Sequence, residues 1–311
     1  MHSQEQLEDA LKFLYKEERA GRSLTAESLA GGLAIPLDQA SDVLRALSGS
    51  GVLEWHEESY RVTPPGSEDA LRIIRAHRLY ETYLANQTGV SDQKWHRIAD
   101  QKEHQIDPEE LRRIDAALGF PKFDPHGDPI PKEGAHLPPP QGSPLLSLKS
   151  GSVCRVLHVE DEPEQVYARI SKTGIAAGTL LELGEQNANG LKLRMEGGNV
   201  FIDEAMAANL RVAPLPDSTG PDPDLEPLSN LKKGETATVH GLTPACRGPE
   251  RNRLLDLGVV PGALISHEYA GFSGNPVAYR IRGALVALRS EQTRRIMVRR
   301  NIKKLDLEVK A

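Results

Sequence analysis

The chain has 311 residues, 39% hydrophobic and 26% charged, a soluble globular mixture too long for one small domain and too apolar for disorder. Lys and Arg number 38 against 44 Asp and Glu, a formal charge of −6, and such a bulk balance counts against nucleic acid as a partner. The two cysteines, Cys154 and Cys246, stand outside any CxxC or CxxH spacing, which excludes a disulfide scaffold and a thiolate zinc finger and suits a reducing compartment.

No apolar run approaches the roughly 20 residues of a membrane-spanning helix. The opening MHSQEQLEDALKF has no basic start followed by an apolar stretch, so no signal peptide is expected. The expectation is a cytoplasmic chain without membrane insertion.

In chain order, Leu7, Ala10, Leu11 and Leu14 space a first helix over 5–19. Thr25 is placed to cap a second helix that buries Leu29, Leu33 and Ile35. A third follows Pro36, from Asp38 to about Ser48, with Val43, Leu44 and Leu47 inward and Asp38 itself a possible cap. Two short strands, 52–55 and 60–63, surround the turn His56-Glu57-Glu58-Ser59. Three helices and a hairpin in this order are the winged helix-turn-helix arrangement. A break is expected at Pro64-Pro65-Gly66, then a long helix from Glu68 to about Gln87.

Proline-rich stretches at 121–144 and 214–228 read as boundaries, the second as an acidic linker. Between and beyond them the chain repeats itself. Arg169 to Gly178 parallels Arg253 to Gly262, Leu148 to Gly151 parallels Leu231 to Gly234, and Val200-Phe201-Ile202 parallels Val286-Ala287-Leu288. Each copy reads as a small β-barrel. Charge is unevenly divided: residues 1–66 sum to −5, 67–140 to −3, 141–228 to −6 and 229–311 to +8.

The residues richest in chemistry lie between 77 and 104. His77 and Glu81 share one face of the long helix. His96, Asp100, Glu103 and His104 follow on a second helix, within an arc of about 100°. Two imidazoles and two carboxylates facing a second His/Glu pair suit a divalent metal. They equally suit a solvated polar face, and spacing alone leaves both readings open. No Ser-His-Asp order, Walker loop or HExxH accompanies them, so an enzyme is not expected.

His77-Arg78-Leu79-Tyr80-Glu81, Trp95-His96-x3-Asp100-x2-Glu103-His104 and Asp124-Pro125-His126-Gly127-Asp128-Pro129-Ile130-Pro131 together resemble the metal-binding and dimerisation domain of the DtxR/MntR metalloregulators. The two C-terminal copies resemble the SH3-like domain of that family, found also in FeoA proteins of ferrous iron uptake, the second copy more closely. The resemblance implies a regulatory metal site at Asp9, Asp100, Glu103 and His104, with His77, Glu81 and His96 at an ancillary or bridging site. It implies Mn²⁺ or Fe²⁺ as cofactor, and hard oxygen donors with imidazole suit those ions. Where iron-sensing members carry Met and Cys this chain has Asp9 and Asp100, as manganese-type members do. Where manganese sensors carry one further acidic ligand it has Lys12. Asp161 and Glu164 fall where some relatives lend ancillary ligands, or form an exposed acidic turn.

By the same resemblance the chain is a homodimer that binds an operator in double-stranded DNA. Gln39 and Ser41 of the third helix are placed to read base edges, and Arg61 to contact a phosphate from the wing. Metal would tie Asp9 of the first helix to the dimer core and so set the spacing of the recognition helices. Without it, carboxylates would face each other uncompensated. The basic last segment, through Arg294-Arg295 and Arg299-Arg300-Asn301-Ile302-Lys303-Lys304, reads as a solvated end, as a supplementary phosphate-binding surface, or as a docking site for the acidic winged helix in the resting state.

The expected architecture is therefore an α+β multidomain chain. It has a winged helix at 1–66, an all-α metal-binding and dimerisation domain at 67–140, and SH3-like barrels at 145–214 and 228–306. Its expected role is metal-dependent repression of metal-uptake genes. The competing expectation is a metal-responsive interaction protein whose FeoA-like domains act on ferrous iron transport.

Overall fold

A computed structural model describes residues 2–134, 136–187, 190–272 and 274–301. The chain forms two compact units, residues 1–84 with 94–140 and residues 85–93 with 141–311. It is an α+β multidomain chain, helices first and two antiparallel sheets after them.

In the first unit, helices α1 (Gln4–Arg19), α2 (Ala26–Leu33) and α3 (Leu37–Gly49) precede the hairpin β1 (Leu53–His56) and β2 (Ser59–Val62). Capping boxes start the first two helices: Ser3 with Gln6, and Thr25 with Ser28. Helix α3 is entered from Pro36 with no side-chain cap; Asp38 instead lies in its first turn, where a carboxylate favours the helix dipole. Ala10, Leu11, Leu14, Leu29, Val43, Leu44, Leu47 and Leu53 pack together in one core. Each fully buried Leu contributes roughly 1.5–3 kcal/mol.

The expected break at Pro64-Pro65-Gly66 is instead the first turn of helix α4 (Pro64–Gln87). Proline is tolerated there because its missing N–H would have no helical partner. A Cβ on Gly66 would lie 2.1 Å from the Val52 carbonyl oxygen, so only glycine lets the helix start this close to the hairpin. Ala70 and Ile74 of α4 enter the winged-helix core. One turn on, Ala76 and Leu79 join Ile106, Leu111 and Ile130 in a second core. A single rigid helix thus serves both.

Helices α5 (Trp95–Lys102) and α6 (Pro108–Ala117) complete the helical part. The following loop is held by α4: Arg75 donates to the Pro131 carbonyl at 2.6 Å and Arg78 to that of Pro129 at 2.6 Å. Its proline-rich start is thus part of the fold and not a boundary.

The second unit carries two sheets of one topology. Strands β3 (Ser143–Pro144), β4 (Val153–Val159), β5 (Leu180–Asn187), β6 (Gly190–Met195), β7 (Gly198–Ile202) and β8 (Leu210–Leu215) are ordered β3-β8-β4-β5-β6-β7. Helices α7 (Glu164–Thr173) and α8 (Glu204–Ala208) belong to this copy. Strands β9 (Leu225–Pro227), β10 (Thr236–Leu242), β11 (Leu264–Ala270), β12 (Val277–Ile281), β13 (Ala284–Leu288) and β14 (Ile296–Arg300) repeat the order as β9-β14-β10-β11-β12-β13. Helices α9 (Gly248–Asp256) and α10 (Ser290–Arg294) match α7 and α8.

The glycines of the sequence repeat explain it. Gly174 and Gly258, which follow α7 and α9, have φ of 84° and 87°, and Gly178 and Gly262 have 98° and 82°. L-residues with a side chain avoid that region. Both copies also bulge at the same place, between Val156 and His158 and between Val239 and Gly241.

Three expectations are corrected here. The copies are not closed barrels: among the described residues each is an open six-stranded sheet whose end strands do not pair. The stretch 214–228 is not a free linker, because Leu225 is buried and β9 pairs with β14. The basic end is not a bare phosphate-binding surface either. Arg295 pairs with Glu250, Arg299 with Asp222 and Asp224, and Arg300 with Glu226 and Glu235. The acids of the presumed linker thus neutralise the arginines of the last strand. Ile302, Lys303 and Lys304 lie outside the described residues.

Candidate metal centre

The seven residues singled out as ligands come together within the first unit, drawn from α1, α4, α5 and the turn after α5. Asp9 lies on α1, His77 and Glu81 on α4, and His96 and Asp100 on α5. Helix α5 ends at Lys102, so Glu103 is its C-cap and His104 follows in a turn; the four were expected on one continuous helix. The turn swings His104 toward α1, its Nε2 reaching within 3.1 Å of Asp9 Oδ1 and 3.7 Å of Glu103 Oε1.

Three overlapping groups result, each with donor atoms within 4.8 Å of one another. The first is Asp9, Glu103 and His104. The second is His77, Asp100 and Glu103. The third contains His77, Glu81 and His96. His77 joins the last two: its Nδ1 lies 2.5 Å from Glu103 Oε2 and its Nε2 3.2 Å from Glu81 Oε1. Glu103 is fully buried, and burying a carboxylate is costly unless cations or donors surround it.

Lys12, which stands where manganese sensors carry a further acidic ligand, supplies that compensation, and Glu8, absent from the expected site, holds His104. Lys12, one turn beyond Glu8 on α1, places Nζ 2.7 and 2.9 Å from the two oxygens of Glu103 and 3.2 Å from Asp100 Oδ1. Glu8 accepts a hydrogen bond of 2.6 Å from His104 Nδ1 and another of 2.9 Å from Arg72. Glu8 and Lys12 stand four residues apart on one face of α1. Only packing against α5 shows it to be internal. The expected uncompensated carboxylates are therefore compensated already.

The electrostatics follow. Burial by itself would depress the Lys12 ammonium, but Glu103 and Asp100 outweigh it and raise its pKa. Burial also works against cationic His77 and His104; Glu81 for the first and Glu8 with Asp9 for the second nevertheless raise them. Burial would raise Glu81, yet His77 and His126 hold it well below the usual carboxylate range. Asp9 is raised, by burial first and by Asp100 and Glu103 next.

A further buried group, Glu81, Asp124 and His126, gathers within 4.8 Å beside the third. Asp124 Oδ1 accepts from the backbone N–H groups of His126, Gly127 and Asp128, each at 2.9 Å. That carboxylate shapes the loop. Sequence reasoning used this segment for resemblance only.

The donor set fits a divalent ion at the flanking groups. Glu8 occupies His104 Nδ1, which leaves Nε2 turned to Asp9 and Glu103, the arrangement that orients a histidine ligand. In the third group, buried Glu81 Oε1 makes no hydrogen bond although two imidazoles lie near it. That oxygen has unused acceptor capacity, which an ion or a water in this group would take up.

The residues expected to contact DNA lie on α3 and β2 of the first unit. Gln39 is half-buried and Ser41 partly so on α3, and Arg61 is exposed on β2 opposite Glu54. Ser41 Oγ donates to the Leu37 carbonyl at 2.8 Å, so it keeps only acceptor capacity. Asp42 is paired with Arg45 at 3.0 Å, which softens the acidity of this helix. Asp161 and Glu164 lie in the second unit, Glu164 opening α7.

The chain runs from a winged helix through a helical domain bearing clustered carboxylates and imidazoles to two antiparallel sheets. Residues 63–132 match the family model of the iron dependent repressor, metal binding and dimerisation domain, and residues 226–300 that of the FeoA domain. A manganese-dependent transcriptional repressor in complex with manganese superposes with a TM-score of 0.61 at 27% identity, over 67% of this chain and 100% of that one. The manganese regulator SloR (0.56, 23%, 67% and 98%) and T. acidophilum IdeR (0.55, 22%, 69% and 99%) share the fold. A probable metal transport system membrane protein of Chlamydia pneumoniae is 36% identical over 88 residues, 26% of this chain and 20% of that protein. The chain spans about a fifth of the length of the curated relatives it matches. Among the described residues no helix is long and apolar enough to cross a membrane.

Proposed function

We propose that this chain is a homodimeric, cytoplasmic, metal-dependent regulator that binds operator DNA and represses genes of metal uptake, with Mn²⁺ or Fe²⁺ as the sensed ion. The observation that carries the reading is the group Asp9, Glu103 and His104, in which a winged-helix residue and two residues after the metal-domain helix converge. Asp9, Glu103 and His104 would hold one ion, and His77, Glu81 and His96 another. The ion would supply positive charge among oxygen and imidazole donors. The chain's own residues do the rest: Glu8 orients His104, Asp100 and Glu103 hold Lys12, and α4 carries the packing of both cores. Because α1 supplies Asp9, filling that group biases where the winged helix sits. Metal affinity and operator affinity are then linked.

The test is a DNA-binding assay with the chain's own promoter region, with and without Mn²⁺ or Fe²⁺. A metal-dependent shift supports the reading and its absence overturns it. His104→Ala combined with Glu103→Gln should abolish the metal-induced rise in melting temperature; an unchanged rise would place the site elsewhere.

A second reading has its own support in the FeoA domain and in the relatives titled as metal transport system proteins. It is a metal-responsive interaction protein acting on ferrous iron transport. The absence of operator binding together with retained metal binding would favour it.

A further inference from the structure

Deepening the metal-sensing reading, we infer that the Lys12 ammonium is a resident cation of the centre. It fills the pocket of His77, Asp100 and Glu103, so that divalent ions enter only the flanking groups Asp9/Glu103/His104 and His77/Glu81/His96.

An ammonium has three donors and no acceptor, and Nζ of Lys12 finds three carboxylate oxygens at 2.7, 2.9 and 3.2 Å. Its hydrogen-bonding capacity is used up inside the pocket. Lys12 is only 9% exposed, so the charge is not held in water at the end of a long stem, as surface lysines hold it. His77 commits Nδ1 to Glu103 at 2.5 Å, which leaves only Nε2, 3.2 Å from Glu81, and that nitrogen belongs to the flanking group. A divalent ion in the middle pocket would need the very place between Asp100 and Glu103 that Nζ fills, in direct contact with a fixed positive charge, whereas in the flanking groups a carboxylate lies between the ion and Nζ. At low effective dielectric that repulsion is large. The two cations exclude each other.

The consequence is regulatory. Lys12 belongs to α1, and its partners lie 88 and 91 positions away on α5 and its C-cap. It therefore joins winged helix and metal domain with no metal at all. The metal-sensitive part of that junction is left to Asp9, the neighbouring ligand on the same helix. A built-in cation holds the frame, and the exchangeable one adjusts it.

The experiment uses the full chain, stripped of metal and titrated anaerobically with Mn²⁺, with bound and free ion read by electron paramagnetic resonance. The comparison is wild type, Lys12→Glu and Lys12→Met. The wild type should show isolated ions and no exchange-coupled pair. Lys12→Glu should bind one more ion per chain and develop an exchange-coupled spectrum, since Glu103 then bridges adjacent ions. Lys12→Met removes the charge and offers at most a soft thioether, a poor donor for Mn²⁺; it should also bind one more ion and gain a larger metal-induced rise in melting temperature.

A coupled pair in the wild type, or equal stoichiometry in wild type and folded variants, overturns the inference. If Lys12→Glu does not fold, the stoichiometry of Lys12→Met decides the matter the same way. Should the wild type bind nothing while a variant binds an ion, Lys12 stands as the blocking cation and the sensor reading fails. If none of the three binds Mn²⁺, both fail.

Discussion

Glu8 accepts a 2.6 Å hydrogen bond from Nδ1 of His104, 96 residues further along the chain. This fixes which imidazole nitrogen faces the carboxylates of Asp9 and Glu103. Carboxylates behind ligating histidines typically change metal affinity by ~10–100-fold. Glu8→Gln should therefore weaken Mn²⁺ binding by about that factor with the number of ions unchanged, measured by competition with a chromophoric chelator. Unchanged affinity would mean that Glu8 serves only to hold Arg72.

The histidines set a pH dependence. His77 and His104 have pKa values raised above 6.5 because carboxylates outweigh their burial. A group raised in the folded state contributes stability that is complete below its unfolded value and is lost as pH rises through the folded one. The metal-free chain should thus melt at lower temperature at pH 8 than at pH 6. Metal needs the same nitrogens deprotonated, so its affinity should increase across that window. Affinity falling with pH would remove both histidines from the ligand set.

On the DNA side, two kinds of contact should separate. Gln39→Ala should cost about 1–3 kcal/mol at the operator and little on unrelated DNA, since it removes base reading. Arg61→Ala should weaken both and reduce the slope of log K against log salt by about 1, as loss of one phosphate contact does. Fluorescence anisotropy over a salt series distinguishes them. Equal losses on operator and unrelated DNA for Gln39→Ala would remove it from recognition.

The two cysteines should be inert. Cys154 is fully buried and Cys246 nearly so, and burial pushes both thiols up to about 11. The thiolate is the reactive form, so a thiol reagent should label neither in the native chain and both in urea. Labelling of the native chain would show local opening of one sheet core.

Much was legible before any coordinates. Apolar spacing placed α1 to α3 to within about two residues, because amphipathic periodicity is a local property. The repeat revealed itself through glycines that share positive φ. The ligand types of the centre were visible too, as His and acidic residues at helical spacing. Less legible were features in which a local rule had two outcomes. Pro64-Pro65-Gly66 has the composition of a break and of a helix start alike. Residues 214–228 have the composition of a linker, yet Leu225 enters the last sheet and Asp222, Asp224 and Glu226 meet Arg299 and Arg300.

By itself, the order of residues determined the elements, the repeat and the donor chemistry of the site. Tertiary structure decided how the charges are partnered. Lys12 is legible only as a basic residue at a ligand position until α5 brings Glu103 and Asp100 to it, and Glu8 as one more acid of α1 until His104 arrives. Ion pairs across some 90 positions depend on which helix faces pack together, and packing is governed by the apolar core beneath them and not by the charged residues themselves. The candidate ligands and the basic residue among them were therefore readable one by one, but the pairing of Lys12 with Glu103 and Asp100 was not.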